Sequence, residues 1–262
     1  TGEQSGNWTT SYQYWVQDTV TVPEDSTLII DAGVRVKFYP EAGMVCYGTL
    51  EANGTEDEHV LFTSIQPTSL PGDWDNIELY GENNIISYVD YEYANDGFTG
   101  DGCNGTTFDH LNMVETLGLA ANGIYLTNSI NVTFTNNTIF VYGEYGIFSE
   151  NSSGSIVSGN SISWSHAQAA IRLDYCDNCE FDSNTITNRP YRGIWSQYSN
   201  NCSFTDNDID VQGYGIEVQN GSNHILAGNI ITNFENRGIY FESSQYCIIN
   251  NNRIISANTG AG

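Results

Sequence analysis

The stretch NGIYLTNSINVTFTNNTIFVYGEYGIFSENSSGSIVSGNSI at residues 122–162 decides the fold, because two short phrases within it return through the rest of the chain. The first phrase is Asn-x-Ile, and its asparagines follow one another at steps of 23, 24, 23, 22 and 23 residues: Asn137, Asn160, Asn184, Asn207, Asn229 and Asn252. The second phrase is Gly-Ile (Ala-Ile once), and its isoleucines run in phase with the first: Ile124, Ile147, Ile171, Ile194, Ile216 and Ile239. Fixed self-similarity at this period indicates a solenoid.

Each repeat is predicted to contain three short strands. The first carries Gly-Ile-x-apolar, the second carries two residues two apart such as Val132 and Phe134, and the third carries Asn-x-Ile. Residues two apart face the same side of a strand, so these mostly apolar positions point inward. Successive coils then lie about 4.8 Å apart. The asparagines are expected to stack as a ladder at a corner, where residues that tolerate a left-handed backbone bend the chain and the side-chain amides bond from coil to coil.

The regularity of the repeat changes along the chain. Residues 20–111 show short alternating strands broken by Gly and Pro, and residues 112–262 show the regular repeat. We therefore predict one elongated domain over 20–262, preceded by an N-terminal arm or cap at 1–19. Two segments, 64–75 and 99–107, are predicted to be loops that leave the main body.

The two phrases resemble the right-handed parallel β-helix repeats of the NosD-like and pectate-lyase-like superfamily, closely over 112–257 and loosely over 20–100. The resemblance implies an all-β, single-stranded, right-handed parallel β-helix of roughly ten coils of ~23 residues. It implies no single function, since this fold hosts lyases, glycoside hydrolases, epimerases, periplasmic accessory proteins, adhesins and surface-layer proteins. The sequence lacks Gly-His-Gly, Asp-Asp and Asp-Pro-His-Glu motifs, which favours a non-catalytic, surface-protein type.

The charge balance restricts the partners. Seven basic residues stand against 32 acidic ones, which gives a net charge of −25. A chain this acidic repels nucleic acid and anionic lipid, so we expect neither as a partner. No apolar run reaches the ~20 residues of a membrane span, and we expect no membrane insertion. No motif indicates a cofactor, and none is predicted.

Several features favour an exported protein. The sequence begins at Thr1, so we expect that a secretory segment has been removed. The chain carries eight glycosylation sequons, which a repeat rich in Asn and Thr also generates by chance: Asn7, Asn53, Asn104, Asn131, Asn136, Asn151, Asn201 and Asn220. Six cysteines are disulfide candidates of unknown pairing: Cys46, Cys103, Cys176, Cys179, Cys202 and Cys247. A secreted location at the cell surface is predicted, and an archaeal envelope fits the acidity and the sequons.

The outward positions beside the Gly-Ile strand form the candidate site. The partner or carbohydrate face is predicted to comprise Tyr125, Phe148, Trp195, Glu217, Tyr240 and Arg237. If the chain is an enzyme, the candidate catalytic residues are Asp174, Arg172, Arg192, His166 and Glu150. Rings that stack on sugars, carboxylates that transfer protons and arginines that hold uronates would make this a polysaccharide groove. A protein–protein face and an ordinary solvated sheet remain open alternatives.

One inward column contains residue types that bind soft metals, namely Cys179, Cys202, His224 and Cys247. Stacking spreads four coils over about 14 Å, whereas ligands converge to within about 2.3 Å of a metal ion. We therefore predict a packed ladder with at most one disulfide between neighbouring coils, and no metal site.

The C-terminal end of the repeat shows no cap, because only Ser-Ala-Asn-Thr-Gly-Ala-Gly follows Ile255. An open strand edge is a template for a further chain, and a head-to-tail contact that does not close gives filaments. Our first hypothesis is therefore an extracellular structural protein that self-assembles into a surface layer, sheath or filament, by stacking or by lateral aromatic contacts. The alternative is a protein that binds or degrades acidic polysaccharide, of the lyase, hydrolase or epimerase class.

Overall fold

The computed structural model of the chain describes residues 1–116, 122–164 and 168–257, and every regular element in this part is a β-strand. Each strand pairs in parallel with its counterpart in the next coil, and about ten turns of about 23 residues wind into one solenoid. The predicted right-handed parallel β-helix is therefore confirmed. No helix in the described part of the chain is long and apolar enough to cross a membrane.

The strands of the irregular coils are β1 (Gly2–Glu3), β2 (Gly6–Trp8), β3 (Tyr14–Val16), β4 (Thr19–Val22), β5 (Thr27–Asp31), β6 (Arg35–Phe38), β7 (Gly43–Cys46), β8 (Thr49–Asn53), β9 (Val60–Ser64), β10 (Ile77–Leu79), β11 (Ile85–Glu92), β12 (Phe98–Asp101) and β13 (Thr107–Thr116).

The strands of the regular coils are β14 (Asn122–Thr127), β15 (Thr133–Thr135), β16 (Thr138–Val141), β17 (Tyr145–Glu150), β18 (Ile156–Ser158), β19 (Ser161–Trp164), β20 (Ala169–Asp174), β21 (Glu180–Asp182), β22 (Thr185–Thr187), β23 (Arg192–Gln197), β24 (Ser203–Thr205), β25 (Asp208–Asp210), β26 (Tyr214–Gln219), β27 (Ile225–Ala227), β28 (Ile230–Phe234), β29 (Arg237–Glu242), β30 (Ile248–Asn250) and β31 (Arg253–Ser256).

One side of the solenoid is an eleven-stranded parallel sheet, which we call sheet 1: β1, β4, β7, β10, β12, β14, β17, β20, β23, β26 and β29. It carries the Gly-Ile phrase, and Ile194 lies opposite Ile216 of the next coil. A Cβ atom on Gly193 would lie 2.5 Å from Ile209 Cγ2 and 2.6 Å from the Gly215 carbonyl oxygen. Glycine therefore makes room for the isoleucine of the Asn-x-Ile strand, and the two phrases of the repeat pack against each other.

The remaining strands cover the other two sides and enclose the core. Inward residues before the last described coil are buried. Aromatic rings at equal positions of neighbouring coils stack, as Phe108 does on Phe134 and Phe181 on Phe204, each at 5.3 Å between ring centroids. Such stacks add to the hydrophobic stabilisation of each coil on the next. The core is continuous along the solenoid, and the outer faces alone remain for binding.

The predicted asparagine ladder is confirmed. The Asn184 amide oxygen accepts hydrogen bonds from the backbone N–H and the Nδ2 of Asn160, and its Nδ2 donates to Asn207 Oδ1 at 2.9 Å and to the Val157 carbonyl at 2.8 Å. The pattern repeats from coil to coil as far as Asn252. Because water does not reach this part of the core, each amide satisfies buried polar groups by both accepting and donating hydrogen bonds.

Two segments differ from their predicted structure. Residues 1–19, predicted as an arm or cap, are laid down as the first coil, where β1, β2 and β3 pair with β4, β5 and β6. The prediction that residues 99–101 belong to a loop is wrong, because these residues form part of β12 within sheet 1. In the other predicted loop, Trp74 is buried and stacks on Phe38 at 4.1 Å.

Candidate functional site

The outer face of sheet 1 holds three columns of side chains in register from β14 to β29. The central column is Tyr125, Phe148, Arg172, Trp195, Glu217 and Tyr240. One flanking column is Thr127, Glu150, Asp174, Gln197, Gln219 and Glu242, and the other is Asn122, Tyr145, Ala169, Arg192, Tyr214 and Arg237. We call this surface the outer face.

The central column is a stack of rings and guanidinium groups. Tyr125 stacks on Phe148 at 4.8 Å, and Arg172 Cζ lies 4.8 Å from the centroid of Phe148 and 4.4 Å from that of Trp195. Arg192 Cζ lies 4.1 Å from the Trp195 ring. The ring faces thus contact one another and the arginines, and the ring edges face outward. Such cation–π contacts are each worth roughly 0.5–2 kcal/mol, which makes the outer face rigid.

Arg172 is held by a complete set of polar partners. Its Nε and Nη2 donate to both oxygens of Asp174 at 3.2 and 2.6 Å, and its Nη1 donates to the Tyr145 hydroxyl at 2.6 Å. Burial by itself would lower the pKa of Arg172, but the hydrogen bonds and charge of Asp174 outweigh it and raise that pKa. The guanidinium fork predicted to bind a uronate is therefore occupied by Asp174, which a uronate would have to displace.

A second ion pair lies beside the first. Arg192 Nε donates to Glu217 Oε2, and the side chain of Glu217 is only 3 % exposed. Gln219 Nε2 donates to the other oxygen of Glu217 at 2.8 Å. Arg237 Cζ lies over the Tyr240 ring at 4.3 Å. Arg192 therefore pairs with Glu217 and not with Asp174, so the two candidate arginines belong to separate ion pairs.

The remaining catalytic candidates do not complete an acid–base pair. Glu150 accepts a hydrogen bond from the Tyr125 hydroxyl at 3.1 Å. Burial, and then this bond, raise the pKa of Tyr125. His166 lies outside the described residues. A carboxylate bound to arginine is a poor general base, because its charged form is stabilised. The described carboxylate candidates are therefore already engaged, Asp174 by Arg172 and Glu150 by Tyr125.

Three polar residues of the outer face were not among the predicted site residues. Tyr145 joins Arg172 to Gln168 through its hydroxyl, at 3.2 Å from Gln168 Oε1. Gln219 Oε1 accepts from Trp195 Nε1 at 3.4 Å and from Gln197 Nε2. Their positions follow from the 23-residue period, but which neighbour each amide contacts depends on rotamers that periodicity does not determine.

The inward cysteines act as hydrogen-bonding core residues. All six disulfide candidates are free thiols, and Cys179 and Cys202 lie at equal positions of neighbouring coils, so a disulfide between them stays a prediction. Cys176 Sγ donates to the Ser149 carbonyl at 3.3 Å, and burial raises the pKa of this thiol to about 12. Serines occupy the same position in the neighbouring coils. Ser152 N–H donates to Cys176 Sγ, and Cys176 N–H donates to Ser199 Oγ. The thiols are therefore interchangeable in role with serine hydroxyls.

Five of the eight sequons coincide with corners of the solenoid. Asn131, Asn136, Asn151, Asn201 and Asn220 all have φ between 51° and 57° and are exposed. Asparagine tolerates this left-handed conformation better than most residues, which gives a structural reason for its presence there. Glycosylation at these positions stays a prediction, and so does the alternative that the sequons arise from the repeat.

The family model described as periplasmic copper-binding protein (NosD) matches this chain over residues 65–223 and again over 130–262. Together the two matches cover 65–262, which is more than half of the chain. The chain belongs to the NosD family. The resemblance inferred from the Asn-x-Ile and Gly-Ile phrases is thereby confirmed for the family.

Solved structures share the fold at low identity. The periplasmic alginate epimerase AlgG aligns with a TM-score of 0.59 and 14 % identity, over 90 % of this chain and 76 % of that chain. A mutant of the same epimerase aligns with a TM-score of 0.63 and 13 % identity, over 90 % of this chain and 76 % of that chain. Tailspike protein 2 of Escherichia coli O157:H7 bacteriophage CAB120 aligns with a TM-score of 0.50 and 13 % identity, over 94 % of this chain and 36 % of the tailspike. No curated protein sequence matches the chain. At these identities the likeness concerns the fold.

The family description implies copper, and the described residues do not fit it. No group of three or more His, Cys, Asp or Glu side chains in the described ranges is placed to hold a metal ion. Cysteine binds metals as the thiolate, whereas in the inward column the hydrogen bond with Cys179, and then burial, raise the pKa of Cys202, whose Sγ donates to the Cys176 carbonyl at 3.2 Å. Burial lowers the pKa of His224 and so favours the neutral imidazole that can bind a metal, but no two further ligands converge with it among the described residues.

Proposed function

We propose that this chain is an exported polysaccharide-binding protein, with the outer face of sheet 1 as its binding surface. The observation that carries the proposal is the continuous stack of Tyr125, Phe148, Arg172 and Trp195 beside a column of carboxylates and amides. Polar groups recur on this face once per coil, about every 4.8 Å, and a polymer of sugar units offers hydroxyl groups that also recur along its length. The outer face is therefore suited to an extended, repeating ligand.

The rigidity of the outer face favours binding. Arg172 and Arg192 are each fixed by an ion pair and by ring contacts, so little side-chain entropy remains to be lost when a ligand arrives. Immobilising a free side chain costs about 0.5–1.5 kcal/mol at an interface, and a preformed surface avoids this cost. Ring edges would contact the apolar parts of the sugars, and the amides of Gln197 and Gln219 would exchange hydrogen bonds with their hydroxyls.

The relatives support the same proposal. AlgG is an alginate epimerase described as periplasmic, and the NosD family model is also described as periplasmic. An exported location agrees with both. We propose binding and not turnover, because Asp174 and Glu217 are each paired with an arginine, and Glu150, which lies opposite Asp174 on the neighbouring strand, accepts a hydrogen bond from Tyr125. Should turnover occur, Asp174, Arg172, Arg192 and Glu150 remain the candidates.

The test is the affinity of purified protein for a panel of soluble polysaccharides, neutral and uronate, measured by affinity electrophoresis and calorimetry. Trp195→Ala is expected to weaken binding about tenfold, the equivalent of one lost aromatic contact of about 1.4 kcal/mol. Gln197→Leu keeps the side-chain volume and removes one polar contact, and it is expected to weaken binding less.

Trp15→Ala is the matched control, because Trp15 is an exposed tryptophan on β3, on another side of the solenoid. It is expected to leave affinity unchanged. Circular dichroism of each variant checks that the fold is retained. Equal affinity of Trp195→Ala, Gln197→Leu and the unaltered protein would refute the outer face as the site, and absence of binding to every polysaccharide would refute the function.

Self-assembly, our first hypothesis from the sequence, stays a prediction. Sedimentation of the native protein, compared with Ile249→Glu, tests it, and a monomer unchanged by that substitution would reject stacking.

A further inference from the structure

A cleft of about 250 Å³ lies on the side of the solenoid that carries β3, β6 and β9, away from sheet 1. Its lining consists of Gln13, Trp15, Arg35, Lys37 and Ile65, and none of these residues is acidic. Two of the seven basic residues of the chain, including its single lysine, therefore line one cleft. In a protein with a net charge of −25, this cleft is a local reversal of charge.

The two cations of the cleft project from the same side of one strand. Arg35 and Lys37 lie two residues apart on β6, so they face the same side and their Cα atoms are about 6.6 Å apart. Val36 and Phe38, which alternate with them, are buried in the core. Trp15 lies opposite Lys37 on the neighbouring strand β3. The cations and the indole therefore share one outward surface.

Neither cation of the cleft has a counter-charge. The side chains of Arg35 and Lys37 make no ion pair, hydrogen bond or ring contact with another described residue. By contrast, three other arginines pair with carboxylates, and a fourth lies over a tyrosine ring. The carboxylates in the same two columns, Asp90 and Glu92, lie two coils further on and bond to other side chains. Both positive charges are therefore free to bind a ligand.

The cleft also has an aromatic wall. Trp15 is 54 % exposed, its ring contacts no other described ring, and its Nε1 donates to no described residue. Gln13 adds an amide and Ile65 an aliphatic group to the lining. An indole surface beside two cations suits a ligand that joins an anionic group to an organic one.

We propose that this cleft binds a phosphate monoester, with the phosphate at Arg35 and Lys37 and the esterified group against Trp15. A phosphate monoester carries a charge of about −1.5 to −2 at pH 7, which two cations balance, whereas a carboxylate carries only one negative charge. The guanidinium fork binds two oxygens of a phosphate, and an ammonium group binds a third. The inference does not rest on the proposed function, because the cleft lies on another side of the solenoid.

The acidity of the rest of the protein opposes an anionic ligand, but only over a short range. At physiological ionic strength charges are screened over about 8 Å, so the carboxylates of distant coils repel the ligand weakly. Arg35 and Lys37 act at contact distance, where screening is least. Two partly solvated cations therefore suffice for modest affinity.

The experiment measures binding of glucose 1-phosphate, inorganic phosphate and glucuronate to the full chain by calorimetry in about 0.15 M NaCl. Glucose 1-phosphate is expected to saturate the protein with a Kd of about 1 mM, and glucuronate to bind at least about tenfold more weakly. Arg35→Gln and Lys37→Gln are each expected to weaken binding of both phosphates about tenfold. Circular dichroism checks that these outward substitutions retain the fold.

Two further variants isolate the roles of charge and of the indole. Arg253→Gln is the matched control, because it removes the same charge from an exposed position on β31 at the other end of the solenoid, and less than about a twofold change is expected. Trp15→Ala is expected to weaken glucose 1-phosphate about fivefold and to leave inorganic phosphate unchanged, because only the ester has an organic group to pack on the indole.

Each contrary outcome overturns a defined part of the inference. Glucuronate that binds as tightly as glucose 1-phosphate would overturn the assignment to a phosphate. Equal effects of Arg35→Gln and Arg253→Gln would show attraction to charge in general and would overturn the cleft as the site. Inorganic phosphate that binds as tightly as the ester, with no effect of Trp15→Ala, would overturn the ester. Absence of binding by both phosphates would overturn the whole inference and leave the outer face and its polysaccharides untouched.

Discussion

Asn184→Ala removes one member from the middle of the asparagine ladder, and the structure gives the size of the effect. The side chain is fully buried. Its oxygen accepts from Asn160 N at 3.1 Å and from Asn160 Nδ2 at 2.9 Å, and its nitrogen donates to the Val157 carbonyl at 2.8 Å and to Asn207 Oδ1 at 2.9 Å. Alanine leaves these partner groups in the core without a bond from this side chain.

Each buried polar group left unsatisfied costs about 1–3 kcal/mol. Asn207 Oδ1 keeps its bond from the Asn184 backbone N–H at 3.0 Å, and Asn160 Nδ2 keeps one to the Phe134 carbonyl at 3.0 Å. The losses are therefore concentrated on the Asn160 N–H and the Val157 carbonyl. We expect the free energy of unfolding to fall by about 3–5 kcal/mol, near the upper end for single substitutions.

Urea unfolding followed by far-UV circular dichroism measures this loss, and amide hydrogen exchange at Asn160 shows where it arises. Exchange is needed because a solenoid can open coil by coil and need not unfold in one step. Asn252→Ala is the control, since the Asn252 oxygen accepts the same two bonds from the preceding asparagine but the residue lies partly exposed on the last described coil. We expect it to cost about 1 kcal/mol, because water replaces the lost partner. A loss below 1 kcal/mol for Asn184→Ala, or equal losses for both variants, would refute the buried ladder as the cause.

Three further outcomes follow from the core. Burial lowers the pKa of His224, so the folded state favours the neutral imidazole, and the stability that this contributes is present above pH ~6.5 and lost as pH falls below it. Between pH 7.5 and 5.5 the melting temperature should therefore fall more steeply for the unaltered protein than for His224→Gln. Parallel slopes would contradict this. Gly193→Ala places a Cβ at 2.5 Å from Ile209 Cγ2 and should lower the free energy of unfolding by about 1–3 kcal/mol, measured by thermal unfolding. Ala170 occupies the equivalent position in another coil, and the reverse change Ala170→Gly should lower it less. Alkylation of the native protein, read by mass spectrometry, should modify Cys247 and spare the buried thiols, and rapid labelling of Cys176 would contradict its burial.

The sequence predicts the fold because its two phrases each encode a three-dimensional requirement. Asn184 is needed for the ladder, and Gly193 is needed to accept Ile209. Alternation along each strand also predicts which side chains share the outer face, since the period of a strand is two. The first coil was not recognised because residues 1–19 carry neither phrase. The pairing on the outer face was not predicted either: Arg172 selects Asp174 two residues away, whereas Arg192 selects Glu217 on the next coil.

Backbone strain at aromatic corner residues is not by itself a mark of function in this fold. His110 and Tyr88 have φ of 52° and 48° at another corner, and their rings stack at 4.4 Å with 9° between planes, as the rings of Tyr175 and Tyr198 do. Stacking between neighbouring coils contributes roughly 0.5–1.5 kcal/mol, which offsets part of the cost of the left-handed backbone. Aromatic pairs at corners can therefore persist for stability alone.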